Sequence, residues 1–255
     1  MEPKPLCGFV AATNIADIHS EWECDKDGNY VTNPCGDPQW PGILCLDNSN
    51  DVYQLNLYRA GLEGTIPPSI GDLTSLKILS LSQNSLVSSI PPTFTKLTML
   101  ISLAVYDCYL TGALPSDIGN LEKLYMISAE NNQFSQAIPT SFNKLNSLSY
   151  LLLQNNKLTG QIPDLYHPGV SILFLEDNQL SGTIPESISN MVNGGFLKLD
   201  NNNIEGTIPT GIASVTALKV LKLQNTFLSK LDNLFVDCIF IYTYILTTVF
   251  FVFHV

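Results

Sequence analysis

Basic residues are scarce in this sequence, which has 255 residues, only 12 lysines and arginines together, and a formal net charge of -11 at pH 7. Arg59 is its only arginine. Proteins normally bind nucleic acids through clustered lysine and arginine side chains, so this scarcity argues against a nucleic-acid partner. The acidic balance also opposes contact with an anionic membrane surface, and it mildly favours a basic protein partner.

The residues that catalysis would need are also few and scattered. The three histidines, His19, His167 and His254, are far apart in the sequence. There is no C-x-x-C pair with a nearby histidine pair to bind zinc, no glycine-rich phosphate loop and no kinase signature. We therefore predict a protein that is not an enzyme and that needs neither a cofactor nor a metal.

Cysteines are more informative, because Cys24, Cys35 and Cys45 lie close together among the six in the chain. Such crowding indicates an oxidising compartment and a local disulfide. The N-terminal segment MEPKPLCGFVAA has an apolar run that is interrupted by proline and is barely long enough for a signal peptide. We therefore expect an extracellular or cell-surface protein whose start is truncated.

The dominant feature is a string that returns along the chain. LSLSQNSLVSSIP, LLLQNNKLTGQIP, LFLEDNQLSGTIP and LKLDNNNIEGTIP all follow the pattern LxxLxLxxNxLxGxIPxxIxxLxx. Its units, called coils 1 to 8 here, start at Val52, Leu76, Leu100, Leu124, Leu148, Val170, Gly194 and Leu218. The interval is 24 residues except in coil 5, where it is 22. Repeats of this length predict a solenoid in which stacked coils share one continuous core.

Each fixed position of the repeat predicts a structural role. In an alternating pair such as Leu151 and Leu153, both side chains point to one face of a short strand, so strands of successive coils stack as a parallel sheet. The asparagine that follows is expected to turn the chain and to hydrogen-bond the neighbouring backbone. This position holds Asn84, Asn132, Asn156, Asn178 and Asn202. Cys108 and Thr226 replace the asparagine in two coils, and we predict a structural role for Cys108 rather than a reactive thiol.

With its L-x-G-x-I-P core, the pattern resembles the plant-type extracellular leucine-rich repeat, found in receptor-like kinase ectodomains, receptor-like proteins and polygalacturonase-inhibiting proteins. The resemblance covers about residues 22–229 and includes NPCGDPQWPGILC, which looks like the N-terminal cap of that family. It implies a disulfide between Cys35 and Cys45. The spacing is wider than is usual in the family, so that a Cys24–Cys35 pair stays open.

The predicted fold is an α/β solenoid, a right-handed leucine-rich repeat superhelix with a parallel concave β-sheet, about eight 24-residue coils and an N-terminal cap. We expect the cap over residues 1–51, as a short helix within GFVAATNIADIHSEW followed by the cysteine-rich segment. In it, Trp22 is expected to pack over the first coil. The repeats are expected over residues 52–230 and a hydrophobic tail over residues 231–255.

Two segments depart from the pattern. In coil 5, DLYHPGVSI replaces the usual second half, and we expect an irregular outer loop at residues 166–169. After Leu228 the pattern stops, and residues 239–255 form an uncharged stretch at the short limit for spanning a bilayer. We interpret the tail, in order of preference, as translated noncoding sequence at the end of a fragment, as a membrane anchor, or as a cover for the open core.

The side chains between and beside the inward leucines are expected to project from the concave face. An exposed aromatic cluster with a charged rim is typical of protein contacts. We predict a partner-binding site at Tyr106, Glu130, Tyr150, Leu152, Phe174, Glu176, Phe196 and Asp200. The alternative is that neighbours shield the apolar residues at the leading edge of the strands, which applies most to Ile78, Ile172 and Phe196.

The resemblance implies a recognition module that binds a protein or peptide on its concave face, together with a co-receptor, in signalling or defence. One alternative is a soluble inhibitor of a secreted wall-degrading hydrolase, because an acidic face suits a basic enzyme. A less favoured alternative is an ice- or surface-binding protein that uses the column of Asn155, Asn201 and Asn225. Glu130 and Glu176 are expected about 10 Å apart, a spacing that suits an inverting carboxylate pair, but we interpret them as contact charges.

Overall fold

The computed structural model describes residues 5–47, 49–164, 169–191, 193 and 195–228 of the chain. The predictions for residues 166–168 of the irregular loop and for the tail after residue 230 therefore lie outside the described residues. Among those that are described, no helix is long and apolar enough to cross a membrane.

A nine-stranded sheet runs the length of the solenoid. Its strands are Ile43–Cys45, Val52–Asn56, Ile78–Ser80, Ser102–Ala104, Met126–Ser128, Tyr150–Leu152, Ile172–Phe174, Phe196–Lys198 and Val220–Lys222. The first strand pairs antiparallel with the second, and the others pair parallel in the order of the sequence. Equivalent repeat positions lie opposite each other, as in the pair Leu151 and Leu173. The predicted stack of parallel strands, one from each of eight coils, is confirmed.

A second parallel sheet, which the sequence analysis did not predict, follows the first within each coil. Its strands are Glu63–Thr65, Ser85–Ser88, Tyr109–Gly112, Gln133–Ala137, Lys157–Gly160, Gln179–Thr183, Asn203–Gly206 and Phe227–Leu228. These strands contain the L-x-G-x segment, where the repeated glycine takes positive φ, as at Gly160 with φ of 73°. The first half of the repeat therefore builds one sheet and its middle builds another.

The return path of most coils is a single turn of 3₁₀ helix. These helices are Pro68–Asp72, Pro92–Lys96, Ile118–Asn120, Thr140–Lys144, Glu186–Asn190 and Thr210–Ser214. Proline precedes or begins most of them, because its fixed φ suits the start of a helix and its missing N–H needs no partner there. Each helix turns one large apolar side chain inward, for example Phe94 and Phe142.

One continuous core lies between the two sheets and the 3₁₀ turns. The alternating leucines of the repeat are buried in it, including Leu151, Leu153, Leu173 and Leu175. Each coil contributes only a few side chains, so an isolated coil would leave its apolar side exposed to water. The core is complete only when neighbouring coils stack, as expected for a solenoid.

The predicted asparagines form a buried ladder of hydrogen bonds between coils. Asn132 donates from Nδ2 to the carbonyl oxygens of Val105 at 2.8 Å and Glu130 at 3.1 Å. Its Oδ1 accepts from the backbone N–H of Leu110 at 2.9 Å. One side chain thus satisfies donors and acceptors of two adjacent coils, which buried backbone groups require.

Cys108 interrupts the ladder in coil 3, where it is buried and its Sγ lies 3.4 Å from the carbonyl oxygen of Leu81. Burial raises the pKa of this thiol, which agrees with the structural role predicted for it. A thiol is a weaker donor than an amide and a poor acceptor. The ladder is therefore weaker at this coil than at the coils that carry asparagine.

We expect Cys108→Asn to raise the free energy of unfolding by about 1 kcal/mol, because the amide restores strong donors to the carbonyl of Leu81 and a strong acceptor for the ladder. Chemical denaturation of the full chain measures the change. Cys108→Ala is the matched comparison and is expected to lower stability. If the asparagine variant is less stable than the alanine variant, the side chain at position 108 does not take part in the ladder.

The cap begins with helices Pro5–Ala12 and Ile15–Ile18, so the single predicted helix is divided in two. The division lies at Thr13, whose Oγ1 donates to the carbonyl of Phe9 and accepts from the N–H of Ile15. Such local side-chain bonds compete with helix continuation.

Two disulfides hold the cap, Cys35–Cys45 and Cys7–Cys24. The second pair corrects the alternative in which Cys24 was bonded to Cys35. Sequence spacing did not reveal it, because Cys7 approaches Cys24 only when the first helix packs over coil 1. The same packing buries Trp22 completely, with its ring centroid 5.0 Å from that of Trp40.

Candidate functional site

The solvent-facing side of the nine-stranded sheet, called the sheet face below, is the predicted concave face. Strand register arranges its side chains in columns that cross the coils. One column lies between the two inward leucines and includes Leu152, Phe174 and Lys198. A second column follows the second leucine and includes Glu130, Gln154, Glu176 and Asp200. Residues of one column on adjacent coils are separated by the strand spacing of about 4.8 Å.

The eight predicted site residues are all partly exposed, and none belongs to the buried core. They are Tyr106, Glu130, Tyr150, Leu152, Phe174, Glu176, Phe196 and Asp200. The structure places them on coils 3 to 7 of one continuous surface. The pairing order puts Glu130 and Glu176 two strands apart.

Lys198 is a central residue of this surface that the prediction did not include. Its Nζ lies 3.9 Å from the centroid of the Phe174 ring and 3.4 Å from Oε1 of Glu176. The side chains of Lys198 and Glu176 are 25% and 12% exposed. Because equivalent positions of adjacent coils are neighbours, the strand spacing and the repeat register would have identified this contact.

Several oxygens beside this contact are buried without a hydrogen-bond partner in the described part of the chain. They are Oε1 of Gln154, Oε2 of Glu176 and Oδ1 of Asp200, on three successive coils. Burial raises the pKa of the Glu176 and Asp200 carboxyls, and it does so for Glu130 although the Ser128 hydroxyl donates to that carboxylate at 2.7 Å. The C-terminal half of the sheet face, on coils 5 to 7, therefore holds hydrogen-bond acceptors that have no donor within the described residues.

The raised pKa values give a pH dependence of stability. An acid whose pKa is raised by folding binds more protons in the folded than in the unfolded chain, so stability falls as the pH rises through the raised value. We expect the melting temperature to rise as the pH falls from about 7 toward the ordinary carboxyl values of about 4.

Thermal unfolding between these pH values checks this expectation. In a variant with Glu130→Gln, Glu176→Gln and Asp200→Asn, the rise should flatten, because the three carboxyls no longer titrate. A wild-type melting temperature that is constant or falls over this range would show that the three carboxylates are well solvated in the folded protein.

The N-terminal half of the sheet face is lined by tyrosines and a polar chain. Tyr58 donates from its hydroxyl to Oε1 of Gln83 at 2.9 Å, and Gln83 donates to Asp107 at 3.0 Å. Tyr58 and Tyr106 have ring centroids 6.3 Å apart. Gln83 and Asp107 have positive φ, as does the equivalent residue of every coil. The regular turn after each strand therefore aligns these polar side chains along one edge.

Apolar side chains lie at the start of several strands, at the leading edge of the sheet face. For some of them the sequence left open that neighbouring residues shield them from solvent. Ile78 is 37% exposed, which corrects the shielding considered for it, and Ile101 and Tyr125 are 41% and 46% exposed. Tyr125 and Tyr150 contact edge to face, with ring centroids 5.2 Å apart. Ile172 and Phe196 are partly exposed, as Leu152 and Phe174 are.

The described residues contain no group of three or more His, Cys, Asp and Glu side chains that is arranged to hold a metal ion. What the sheet face offers instead is apolar and aromatic area, hydrogen-bond acceptors and negative charge. Such a surface suits binding of another polypeptide.

Comparison with known proteins supports the sequence resemblance. The Leucine Rich Repeat family matches residues 75–97, 147–167 and 169–191. Over 91 residues, the chain is 33% identical to the LRR receptor-like serine/threonine-protein kinase EFR of Arabidopsis thaliana, an alignment that covers 36% of this chain and 8% of the kinase. The chain spans 14%, 5% and 8% of the length of the first curated relatives that it matches, so these similarities concern a small part of each relative.

Solved structures extend the similarity to most of the chain. The Arabidopsis receptor kinase HAESA, in complex with the peptide hormone IDA and the co-receptor SERK1, is 28% identical with a TM-score of 0.74, covering 88% of this chain and 38% of that one. Pollen Receptor Kinase 3 is 31% identical with a TM-score of 0.65, covering 78% of this chain and 93% of that one. The alignment therefore covers nearly the whole of that solved structure.

Proposed function

Because this chain belongs to the plant-type extracellular leucine-rich repeat proteins, we propose that it is a receptor-like recognition module that binds a protein or peptide on its sheet face. The observation that carries the proposal is the set of Leu152 and Phe174, two apolar side chains on adjacent coils. They are partly exposed where a solvent-facing strand surface is normally polar, and the carboxylates of Glu130, Glu176 and Asp200 lie in the adjacent column. Such a cluster has the composition of a protein contact.

Two further findings support the proposal. HAESA, which shares the fold, was solved with a peptide hormone and a co-receptor, so a protein of this architecture is compatible with binding of a peptide and of a second protein. Two disulfides in the cap suit an oxidising environment, which agrees with a ligand met outside the cell or at its surface. A role in signalling or defence and the participation of a co-receptor are part of the proposal.

A library of synthetic peptides, presented to the immobilised full chain, tests the proposed function. For peptides that bind, Phe174→Ala is expected to reduce affinity by about tenfold or more, since a truncated aromatic contact residue costs more than about 1 kcal/mol. The melting temperature should change little, because the ring is partly exposed and lies outside the buried core.

Val87→Ala is the matched control, since Val87 is an apolar side chain that is 44% exposed on the second sheet. It should leave binding unchanged. If Phe174→Ala and Val87→Ala have the same effect on every bound peptide, the sheet face is not the binding surface. A large loss of melting temperature in Phe174→Ala would instead assign this ring a role in packing.

A further inference from the structure

The contact of Lys198 with Phe174 and Glu176 shows that the sheet face already holds a cation. An ammonium group over an aromatic face and beside a carboxylate gains from the ring quadrupole and from the opposite charge. Phe174 and Glu176, which hold it, lie on coil 6 and Lys198 lies on coil 7, so the register of the repeat fixes them relative to each other.

Lys198 leaves much of this cation position unsatisfied. Its Nζ lies 3.4 Å from Oε1 of Glu176, whereas Oε2 of the same carboxylate is buried and unpartnered within the described chain. Oε1 of Gln154 on coil 5 and Oδ1 of Asp200 on coil 7 are likewise buried and have no hydrogen-bond partner within the described residues. Buried acceptors without donors are unfavourable, and these three lie in one column on successive coils.

Glu130 and Lys222 complete the charged surroundings. Glu130 stands one coil beyond Gln154 in the same column, with Ser128 donating to its carboxylate. Lys222 acts on Asp200 from coil 8 in the direction that lowers its pKa, yet burial outweighs this effect and the pKa of Asp200 is raised. Oδ1 of Asp200 has no hydrogen-bond partner within the described chain, so Lys222 does not donate to that atom.

We propose that this position, called the cation seat and formed by Gln154, Phe174, Glu176 and Asp200, binds an arginine side chain of the ligand after the Lys198 ammonium moves aside. A guanidinium is planar, stacks on an aromatic face and presents five N–H donors, more than the three of an ammonium. It supplies donors to Glu176 and to one neighbour in the column while its plane covers the Phe174 ring. The inference rests on the proposed function and names the ligand chemistry that the site would select.

The test uses two short probes, acetyl-Ser-Arg-Ser-amide and the same peptide with citrulline, which keeps the shape of arginine and removes its charge. Their dissociation constants for the full chain are measured by ligand-observed NMR titration. We expect the arginine peptide to bind about tenfold more tightly than the citrulline peptide, as for one charge-assisted contact.

Two variants are expected to change arginine binding in opposite directions. Glu176→Gln should weaken it by about tenfold, because the carboxylate that accepts from the guanidinium loses its charge. Lys198→Met should strengthen it severalfold, because the thioether side chain no longer competes for the seat. Glu186→Gln and Lys144→Met, which make the same charge changes at exposed positions on the 3₁₀ side, should leave binding unchanged.

Equal binding of arginine and citrulline peptides, or weaker arginine binding in Lys198→Met, would overturn the proposal. The Lys198→Met result keeps the test valid even if Glu176→Gln is unstable. Library peptides that need Phe174 but contain no basic residue would reject the cation seat and leave the proposed function intact. If the arginine probe binds at the cation seat and no library peptide binds the sheet face, the proposed function is rejected and the cation seat is kept.

Discussion

Asn156→Ala is expected to lower the free energy of unfolding by about 3 kcal/mol, because it leaves several buried backbone groups without partners. Asn156 donates to the carbonyl oxygens of Ala129 at 3.1 Å and Leu153 at 3.1 Å, and it accepts from the N–H of Phe134 at 2.9 Å. The loss affects coils 4 and 5 together, since the side chain joins them. Equilibrium denaturation of the full chain measures the change.

Asn155→Gly is the matched control at the adjacent position. Asn155 is exposed and has φ of 55°, a conformation that glycine adopts without strain. Its substitution should change stability by less than about 1 kcal/mol. If Asn156→Ala and Asn155→Gly lower the free energy of unfolding by the same amount, the ladder is not what links the coils. The stacking of leucines alone then explains their association.

Trp22→Ala is expected to lower the free energy of unfolding by about 3 to 5 kcal/mol, the range for removing a large aromatic side chain from a packed core. Trp22 is completely buried, its ring contacts those of Phe9 and Trp40, and its Nε1–H donates to the carbonyl of Pro41 at 3.1 Å. The cap covers the first coil, so the loss should appear as earlier unfolding of the N-terminal coils. Hydrogen exchange resolved along the chain measures it.

Val31→Ala, at a cap side chain that is 52% exposed, provides the control and should stay within about 0.5 kcal/mol of the wild type. The loss of stability in Trp22→Phe should fall between the losses in Val31→Ala and Trp22→Ala, because phenylalanine keeps a ring in the core and loses the hydrogen bond to Pro41. A Trp22→Ala variant that exchanges like the wild type at coils 1 and 2 would show that the cap is not part of the same cooperative core.

The repeat made most of the fold predictable from sequence. A leucine pair with period two and an asparagine at a fixed distance determine the eight parallel strands of the nine-stranded sheet and the ladder, because each position has the same neighbours in every coil. The ninth strand, Ile43–Cys45, belongs to the cap and was not predicted. The second sheet was missed, since its strands are short and contain glycine, which single-strand patterns do not favour. The Cys7–Cys24 bond was missed because it depends on how the first helix packs on coil 1.

The candidate site was predictable in outline. Alternation placed Leu152 and Phe174 on the sheet face, and the structure leaves both partly exposed. The contact of Lys198 with Phe174 and Glu176 was not predicted, because cross-coil spacing was considered only for the carboxylates Glu130 and Glu176 and not for the lysine on the next coil. The raised pKa values of Glu176 and Asp200 also depend on burial by neighbours, which a single coil does not reveal.

The most direct test of the account is a crystal structure of the full chain with the library peptide that binds most tightly. We expect the peptide to cross coils 4 to 7 on the sheet face and to contact Leu152 and Phe174. A peptide seated on the second sheet beside Val87 and Tyr109, or on the cap, would contradict it.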